Sequence, residues 1–285
     1  MSTMPVSSRR ALAWLLGGAA LLVLAGIVVH LTGTDAAWLL RVHAAAPSWI
    51  ETLLWSSLTV LGLGWCALIL VLAADRGPGW LAALLVPAFV VGGLLTHVTK
   101  WLLAVPRPAG TGLAPHMHVI GDAFRGSVSM PSGHSVTAAA MAALLCLAIP
   151  RRRLAWRVLL LAAAAAIAVS RVVVGAHWPS DVLVGFGLGL LAVALCLAAV
   201  EGGVGQRLHA ALTRRIATRA GQRWVALVEV LGAVGLLKER TGYPAGQPVV
   251  IAIAVVACAS AVWRWRATRE SRALPSLPDT PAERT

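Results

Sequence analysis

The sequence predicts an all-α fold, a polytopic transmembrane helical bundle, and three observations support that prediction. Of the 285 residues, 59% are hydrophobic and only 12% are charged, whereas soluble domains contain about 25% charged residues. The mean hydropathy is +0.81. The charged side chains separate long apolar windows. A water-soluble enzyme is therefore excluded, and one helical domain in lipid accounts for the length.

Six apolar windows are each long enough to cross about 30 Å of hydrocarbon. They cover residues 11–34, 52–74, 77–99, 126–150, 158–176 and 182–200. The fifth window is the weakest, because Arg171 lies near its end, where a long side chain can reach the interface. Arg9 and Arg10 precede the first window, as in a signal peptide, but its apolar stretch is longer than a typical signal requires. We therefore expect an uncleaved first helix.

The charge distribution predicts the orientation. The net charge is +13, and sorting the basic residues up to position 223 by side of a six-helix bundle puts twelve on one face and five on the other. The positive-inside rule assigns the richer face and the N-terminus to the cytoplasm. Because the arginines are scattered between apolar spans, anionic membrane lipids fit this charge better than nucleic acid does. Abundant Arg, Ala and Gly are typical of a GC-rich bacterium, which predicts the cytoplasmic (inner) membrane with the other face toward the periplasm.

We divide the chain into a six-helix core, residues 1–200, a region at 201–272 and a tail at 273–285. The tail is rich in Pro, Ser, Thr and acidic residues and is expected to be disordered. The basic stretch at 206–223 is predicted to lie along the membrane surface.

Two shorter apolar stretches, residues 225–237 and 249–263, follow. If only the second stretch crossed the membrane, the four arginines from position 264 to position 272 would lie on the non-cytoplasmic side. A helical hairpin that returns the tail to the cytoplasm fits these arginines better. Two surface helices are the alternative.

Polar residues gather at those ends of the third to sixth windows that face away from the cytoplasm. Because consecutive spans alternate in direction, these ends share one face. The residues concerned are Lys100, Arg107, Ser132, Gly133, His134, Arg171, His177 and Asp181.

This set has the chemistry of a phosphate site. Two arginines and a lysine in a partly desolvated pocket match a phosphoryl group. Ser132 and Gly133 lie where the fourth helix starts, so free backbone N–H groups and the positive helix end would face the same anion. Besides Asp181, the outer loops carry only Asp35, Glu51 and Asp122 as acidic residues, too few for a two-metal phosphatase site. We expect neither a metal nor a cofactor.

Two histidines complete the set. Asp181 follows His177 by four residues, and a carboxylate so placed can hold one imidazole nitrogen protonated and orient the other as a nucleophile. His134 is then the natural general acid for the departing oxygen. The other six histidines are expected to have ordinary structural roles.

Residues 100–108 read KxxxxxxRP, residues 131–134 read PSGH and residues 170–181 read SRxxxxxHxxxD. Together these motifs resemble the type 2 phosphatidic acid phosphatase superfamily, the lipid phosphate phosphatases, over roughly residues 77–200. The resemblance implies that His177 attacks phosphorus to form a phosphohistidine and that Asp181 supports it. It also implies that His134 protonates the leaving group and later activates water, while the three cations, Ser132 and Gly133 hold the phosphoryl oxygens. The reaction it implies needs no metal.

The leading hypothesis is therefore a membrane lipid phosphatase. The motifs recognise the phosphate and leave the lipid open: undecaprenyl diphosphate, phosphatidylglycerophosphate, phosphatidic acid or a lipid A phosphate. A phosphotransferase that passes the phosphoryl group to another lipid shares the first half-reaction. A transporter is the alternative from another class, but it would need ionisable residues at mid-span. The vanadium haloperoxidases have a similar site but are soluble proteins, and the composition of this chain argues against a soluble protein. Oligomeric state is not predicted.

Overall fold

A computed structural model describes residues 8–76, 79–122 and 128–270. Within these ranges the regular structure is entirely helical, as predicted. The elements are α1 (Ser8–Leu31), α2 (Asp35–Val42), α3 (Trp49–Leu61), α4 (Gly64–Ala74), α5 (Trp80–Leu103), α6 (Gly133–Ala148), α7 (Leu154–Val173), α8 (Pro179–Val200), α9 (Gly203–Ala217), α10 (Arg219–Lys238) and α11 (Gln247–Glu270). The predicted tail at 273–285 lies outside the described residues, as does Arg125, one of the five basic residues assigned to the non-cytoplasmic face.

Six of the described helices are long and apolar enough to cross a membrane: α1, α5, α7, α8, α10 and α11. The number of these long helices equals the predicted six, but two of them do not come from the six predicted windows. The first, third, fifth and sixth windows form α1, α5, α7 and α8, whereas the fourth forms α6, a shorter apolar helix of 16 residues. The remaining two long helices, α10 and α11, are the predicted C-terminal hairpin.

The second window is not one continuous span. It forms α3 and α4, which meet at an angle of 68°. The break falls at the sequence Gly62-Leu63-Gly64, and Leu63 is extended, with φ −67° and ψ 144°. Two glycines separated by a single residue weaken a helix, because glycine loses more backbone entropy than any other residue when it becomes helical. The predicted span over 52–74 is therefore divided into two helices, which form either one broken span or a re-entrant loop.

Helix α8 lies at the centre of the bundle and contacts α1, α5, α6 and α7. Two thirds of its apolar window, 67%, is buried in the protein. Glycines permit this close packing: a Cβ on Gly187 would lie 2.9 Å from Ala19 O of α1, and one on Gly185 would lie 2.5 Å from Ser132 O. The start of α8 is thereby held directly against the start of α6.

Helix α9 covers most of the stretch predicted to lie on the membrane surface. None of its residues is buried, and it exposes apolar side chains, including Leu208 and Leu212, as well as arginines. An exposed helix with both kinds of side chain suits the boundary between lipid and water. The last part of the stretch, from Arg219 onward, instead begins α10.

The hairpin is attached to the core by a buried charge network. Arg264 of α11 is 1% exposed and donates to Glu229 Oε1 of α10 from Nε at 3.1 Å. It also donates to Gln222 of α10 and to the carbonyl oxygens of Leu72 and Asp75 at the end of α4. One guanidinium thus joins three helices.

We predict that Arg264→Leu lowers the stability of the fold by about 3–5 kcal/mol, because it leaves the Glu229 carboxylate buried without its cation. The measurement is thermal or denaturant-induced unfolding in detergent. Arg266→Leu, at an exposed position of the same helix, is the matched control and should change little. The double variant Glu229→Leu/Arg264→Leu should recover part of the loss; a double variant no more stable than Arg264→Leu would contradict the pairing.

Candidate active site

A histidine–carboxylate pair lies at the start of α8, with His177 just before the helix and Asp181 in its first turn. His177 and Asp181 are both buried, and Nδ1 of His177 lies 3.2 Å from Asp181 Oδ2. The same oxygen accepts the Trp178 backbone N–H at 2.9 Å and the Ser129 hydroxyl. Pro179 begins the helix, where its fixed φ suits the first turn. The carboxylate is therefore fixed both by the helix start and by the segment that precedes α6.

The hydrogen bonds define which nitrogen of His177 carries the proton. Arg107 Nη1 lies 3.5 Å from His177 Nε2, and a guanidinium can only donate. Nε2 is therefore the unprotonated nitrogen, and the Nδ1–H faces Asp181 Oδ2 and the Ser129 hydroxyl, both at 3.2 Å. This is the tautomer that a nucleophilic imidazole requires.

Neutral groups hold the three predicted cations. Lys100, in the last turn of α5, donates to the carbonyl oxygens of Val128 and Ser129 at 3.3 and 3.1 Å. Arg107 donates to Ala176 O at 3.0 Å. Arg171, at the end of α7, donates to the hydroxyls of Thr59 and Tyr243.

The electrostatic environment of His177 follows from this arrangement. Burial lowers the pKa of His177 well below the ordinary value of 6.5, and Arg171, Arg107 and Lys100 lower it further. The ring therefore stays neutral at neutral pH. His134 interacts electrostatically with Arg171, His177 and Arg107. The structure thus brings the predicted cations and both histidines into one cluster.

The start of α6 differs in part from expectation. The Ser132 N–H donates to Asp181 O at 3.0 Å, so the prediction of a free N–H at Ser132 is wrong. Its hydroxyl accepts the Ser135 N–H as the helix N-cap. A Cβ on Gly133 would meet no atom within 4 Å, which leaves open space beside the first turn. The first N–H groups of the helix, at Gly133 and His134, have no carbonyl partner within the helix.

An apolar groove is lined in part by His134. Its volume is about 240 Å³. It runs between α4, α5 and α6, and its walls include Phe89, Gly92 and Gly93. The break at Gly62 makes room at its end, because a Cβ there would lie 2.8 Å from the His134 ring. The bend in the second window therefore shapes the site.

Sequence reasoning missed three residues that contact the predicted set. Ser129 lies two residues before the PSGH motif and bridges His177 and Asp181. Thr59, within an apolar window, and Tyr243, in the C-terminal hairpin, both contact Arg171. Only Ser129 carried a usable signal, its closeness to the motif, whereas Thr59 and Tyr243 come from segments without one.

The chain is similar to known proteins over part of its length. Residues 80–203 match the PAP2 superfamily. The chain is 37% identical over 117 residues to a lipid A 1-phosphatase of Rhizobium etli, a match covering 39% of this chain and 46% of that protein. It is 37% identical over 120 residues to a lipid A 1-phosphatase of Rhizobium johnstonii, covering 39% of this chain and 44% of that protein. The matches thus span less than half the length of these curated relatives. No solved structure matches the chain.

We predict that Gly185→Ala destabilises the protein by about 1–3 kcal/mol and displaces the turn at Ser132 and Gly133. The reason is that the new Cβ would lie 2.5 Å from Ser132 O and 3.1 Å from Ser135 Cβ. Gly17→Ala in α1, where a Cβ meets no atom within 4 Å, is the control and should not destabilise. Unfolding midpoints in detergent test this. Equal stability of the two variants would refute the close contact between α6 and α8.

Proposed function

We propose, from the match of residues 80–203 to the PAP2 superfamily, that this chain is a lipid phosphatase that hydrolyses a lipid phosphate or diphosphate. The observation that carries the proposal is the placement of the His177 ring: Nε2 lies 3.5 Å from Arg107 Nη1 and Nδ1 lies 3.2 Å from Asp181 Oδ2. A buried, neutral imidazole beside a guanidinium is poised to attack a phosphorus whose oxygens that guanidinium binds.

The proposed reaction has two steps. Nε2 of His177 attacks phosphorus and the bond between phosphorus and the lipid oxygen breaks. His134, which enters this step as an imidazolium stabilised by the anionic substrate, donates its proton to the leaving oxygen. Water then attacks the phosphohistidine, His134 takes up its proton, and the phosphorus–nitrogen bond breaks to release phosphate and restore the imidazole. Asp181 stabilises the positive charge that develops on the His177 ring in the first step.

The cations have a separate proposed role. Lys100, Arg107 and Arg171 bind the equatorial oxygens of the transition state, together with the amides at Gly133 and the hydroxyl of Ser132. No group of three or more His, Cys, Asp or Glu side chains that could hold a metal ion occurs among the described residues. Independence from metal remains a prediction, and full activity in excess EDTA is its test.

The groove beside His134 supports a lipid substrate, because its apolar walls suit a hydrocarbon chain.

We propose that the site lies at the periplasmic face of the inner membrane, with the N-terminus in the cytoplasm. The names of the two rhizobial relatives make a lipid A phosphate the first substrate to test. Undecaprenyl diphosphate, phosphatidylglycerophosphate and phosphatidic acid complete the panel.

The decisive experiment measures phosphate release by the purified protein on this panel. We predict that His177→Asn abolishes release, because no nucleophile remains, and that His134→Ala slows it by on the order of 10² or more. His209→Asn, in α9 and bonded to the Trp80 carbonyl, is the matched histidine control and should keep normal activity. Near-normal turnover by His177→Asn would overturn the mechanism.

Transfer of labelled phosphate to an acceptor lipid instead of water would identify a phosphotransferase.

We also predict a specific pH dependence. Attack requires neutral His177, so its lowered pKa should keep the acid limb of kcat/KM below the ordinary histidine value of 6.5. Arg107→Gln removes one of the positive charges that lower this pKa. The acid limb of the variant should therefore move to higher pH. Both profiles are measured on one substrate, so that its own ionisation cancels, and an unmoved limb would contradict the proposed coupling.

A further inference from the structure

The loop between α10 and α11 reaches the active site, although it lies outside the residues that match the PAP2 superfamily. Its Tyr243 is the only tyrosine of the chain and is 2% exposed. The side chain packs in a core with Val60 of α3, Ile120, and Val174 and Ala176 after α7. The loop thus contributes a buried side chain to the end of the bundle that holds His177.

Tyr243 contacts Arg171 in two ways. Its hydroxyl accepts a hydrogen bond from Arg171 Nη1 at 3.1 Å, and the guanidinium carbon lies 5.5 Å from the centre of its ring. Thr59 accepts from the same nitrogen at 2.6 Å. Arg171 is 2% exposed, and its Nε has no hydrogen-bond partner among the described residues. Two neutral hydroxyls, from α3 and from the hairpin loop, therefore hold a buried cation.

The chemistry of these partners matters. A carboxylate in either position would neutralise the guanidinium and compete with a phosphate for it. A hydroxyl and an aromatic face stabilise the charge without cancelling it. Burial raises the pKa of Tyr243, against the opposing effect of Arg171, so the phenol stays protonated and uncharged at neutral pH.

The backbone fixes the position of Tyr243. Gly242, at φ +73°, accepts the Asp122 N–H at 3.0 Å, and a Cβ on Gly242 would lie 2.9 Å from the Asp122 carboxylate. Gly246 packs on α3, where a Cβ would lie 2.8 Å from Ser56 O. The loop is thus held between the outer loop at Asp122 and helix α3.

We infer that Tyr243 is a positioning residue of the active site: its hydroxyl and ring orient the Arg171 guanidinium so that its remaining donors can bind a phosphoryl oxygen. The C-terminal hairpin is then a functional part of the enzyme. This inference rests on the proposed phosphatase function.

The first test is Tyr243→Phe, which removes the hydroxyl and keeps the ring. We expect kcat/KM for lipid phosphate hydrolysis to fall by about 10-fold or more, as for loss of a hydrogen bond to a charged group. Inhibition by orthovanadate, a mimic of five-coordinate phosphorus, should weaken by a similar factor. Gln247→Ala, exposed at the start of α11, is the control and should match the parent protein in both measurements. Unchanged kcat/KM in Tyr243→Phe would overturn the inference.

The second test separates positioning from a general structural effect. In an Arg171→Lys background the guanidinium that Tyr243 orients is absent, so adding Tyr243→Phe should change kcat/KM by less than about 2-fold. Additive losses, or a loss of activity explained by a lower unfolding midpoint of Tyr243→Phe, would refute the role.

The two proposals fail in different ways. If His177→Asn is inactive while Tyr243→Phe is normal, the phosphatase mechanism stands and the role of Tyr243 is refuted. If His177→Asn keeps normal activity, the mechanism itself is refuted.

Discussion

The arrangement at the end of the bundle depends on a cluster of three cations. Within the described residues, Lys100, Arg107 and Arg171 gather near the carboxylate of Asp181, which also accepts hydrogen bonds from Ser129 and Trp178. Burying like charges in a medium of low polarity is unfavourable. Carbonyl and hydroxyl oxygens limit the cost, but they carry no negative charge. An anion with several oxygens is the ligand that would relieve the repulsion, and the proposed phosphate substrate is such an anion.

Interruptions in the membrane helices make this cluster possible. Backbone that is not helical at membrane depth is tolerated where protein surrounds it or where it lines a cavity. The break at Gly62 leaves space for His134, and the short α6 starts at the level of the first turn of α8. The departures from the simplest six-helix bundle therefore lie where the chemistry is proposed.

Apolar windows predicted the helical bundle, and three motifs predicted residues that the fold brings into one cluster. The windows could not show that 52–74 is broken, because hydropathy measures composition and is insensitive to backbone conformation; only the Gly-x-Gly sequence hinted at it. Thr59 and Tyr243 were invisible for another reason. Their contacts with Arg171 join positions 112 and 72 residues apart, and a hydroxyl in an apolar segment has no pattern that names its partner.

The C-terminal hairpin is fixed at both of its ends by contacts of opposite kinds. Near the end of α4, Arg264 is paired with Glu229, so its charge is neutralised and serves to join helices. At the other end, Tyr243 meets Arg171 with a neutral hydroxyl and leaves the charge in place. A segment needed only for stability could use a carboxylate at both ends, which would bind a buried guanidinium more strongly. The neutral partner is the better choice only where the cation must remain available to another anion.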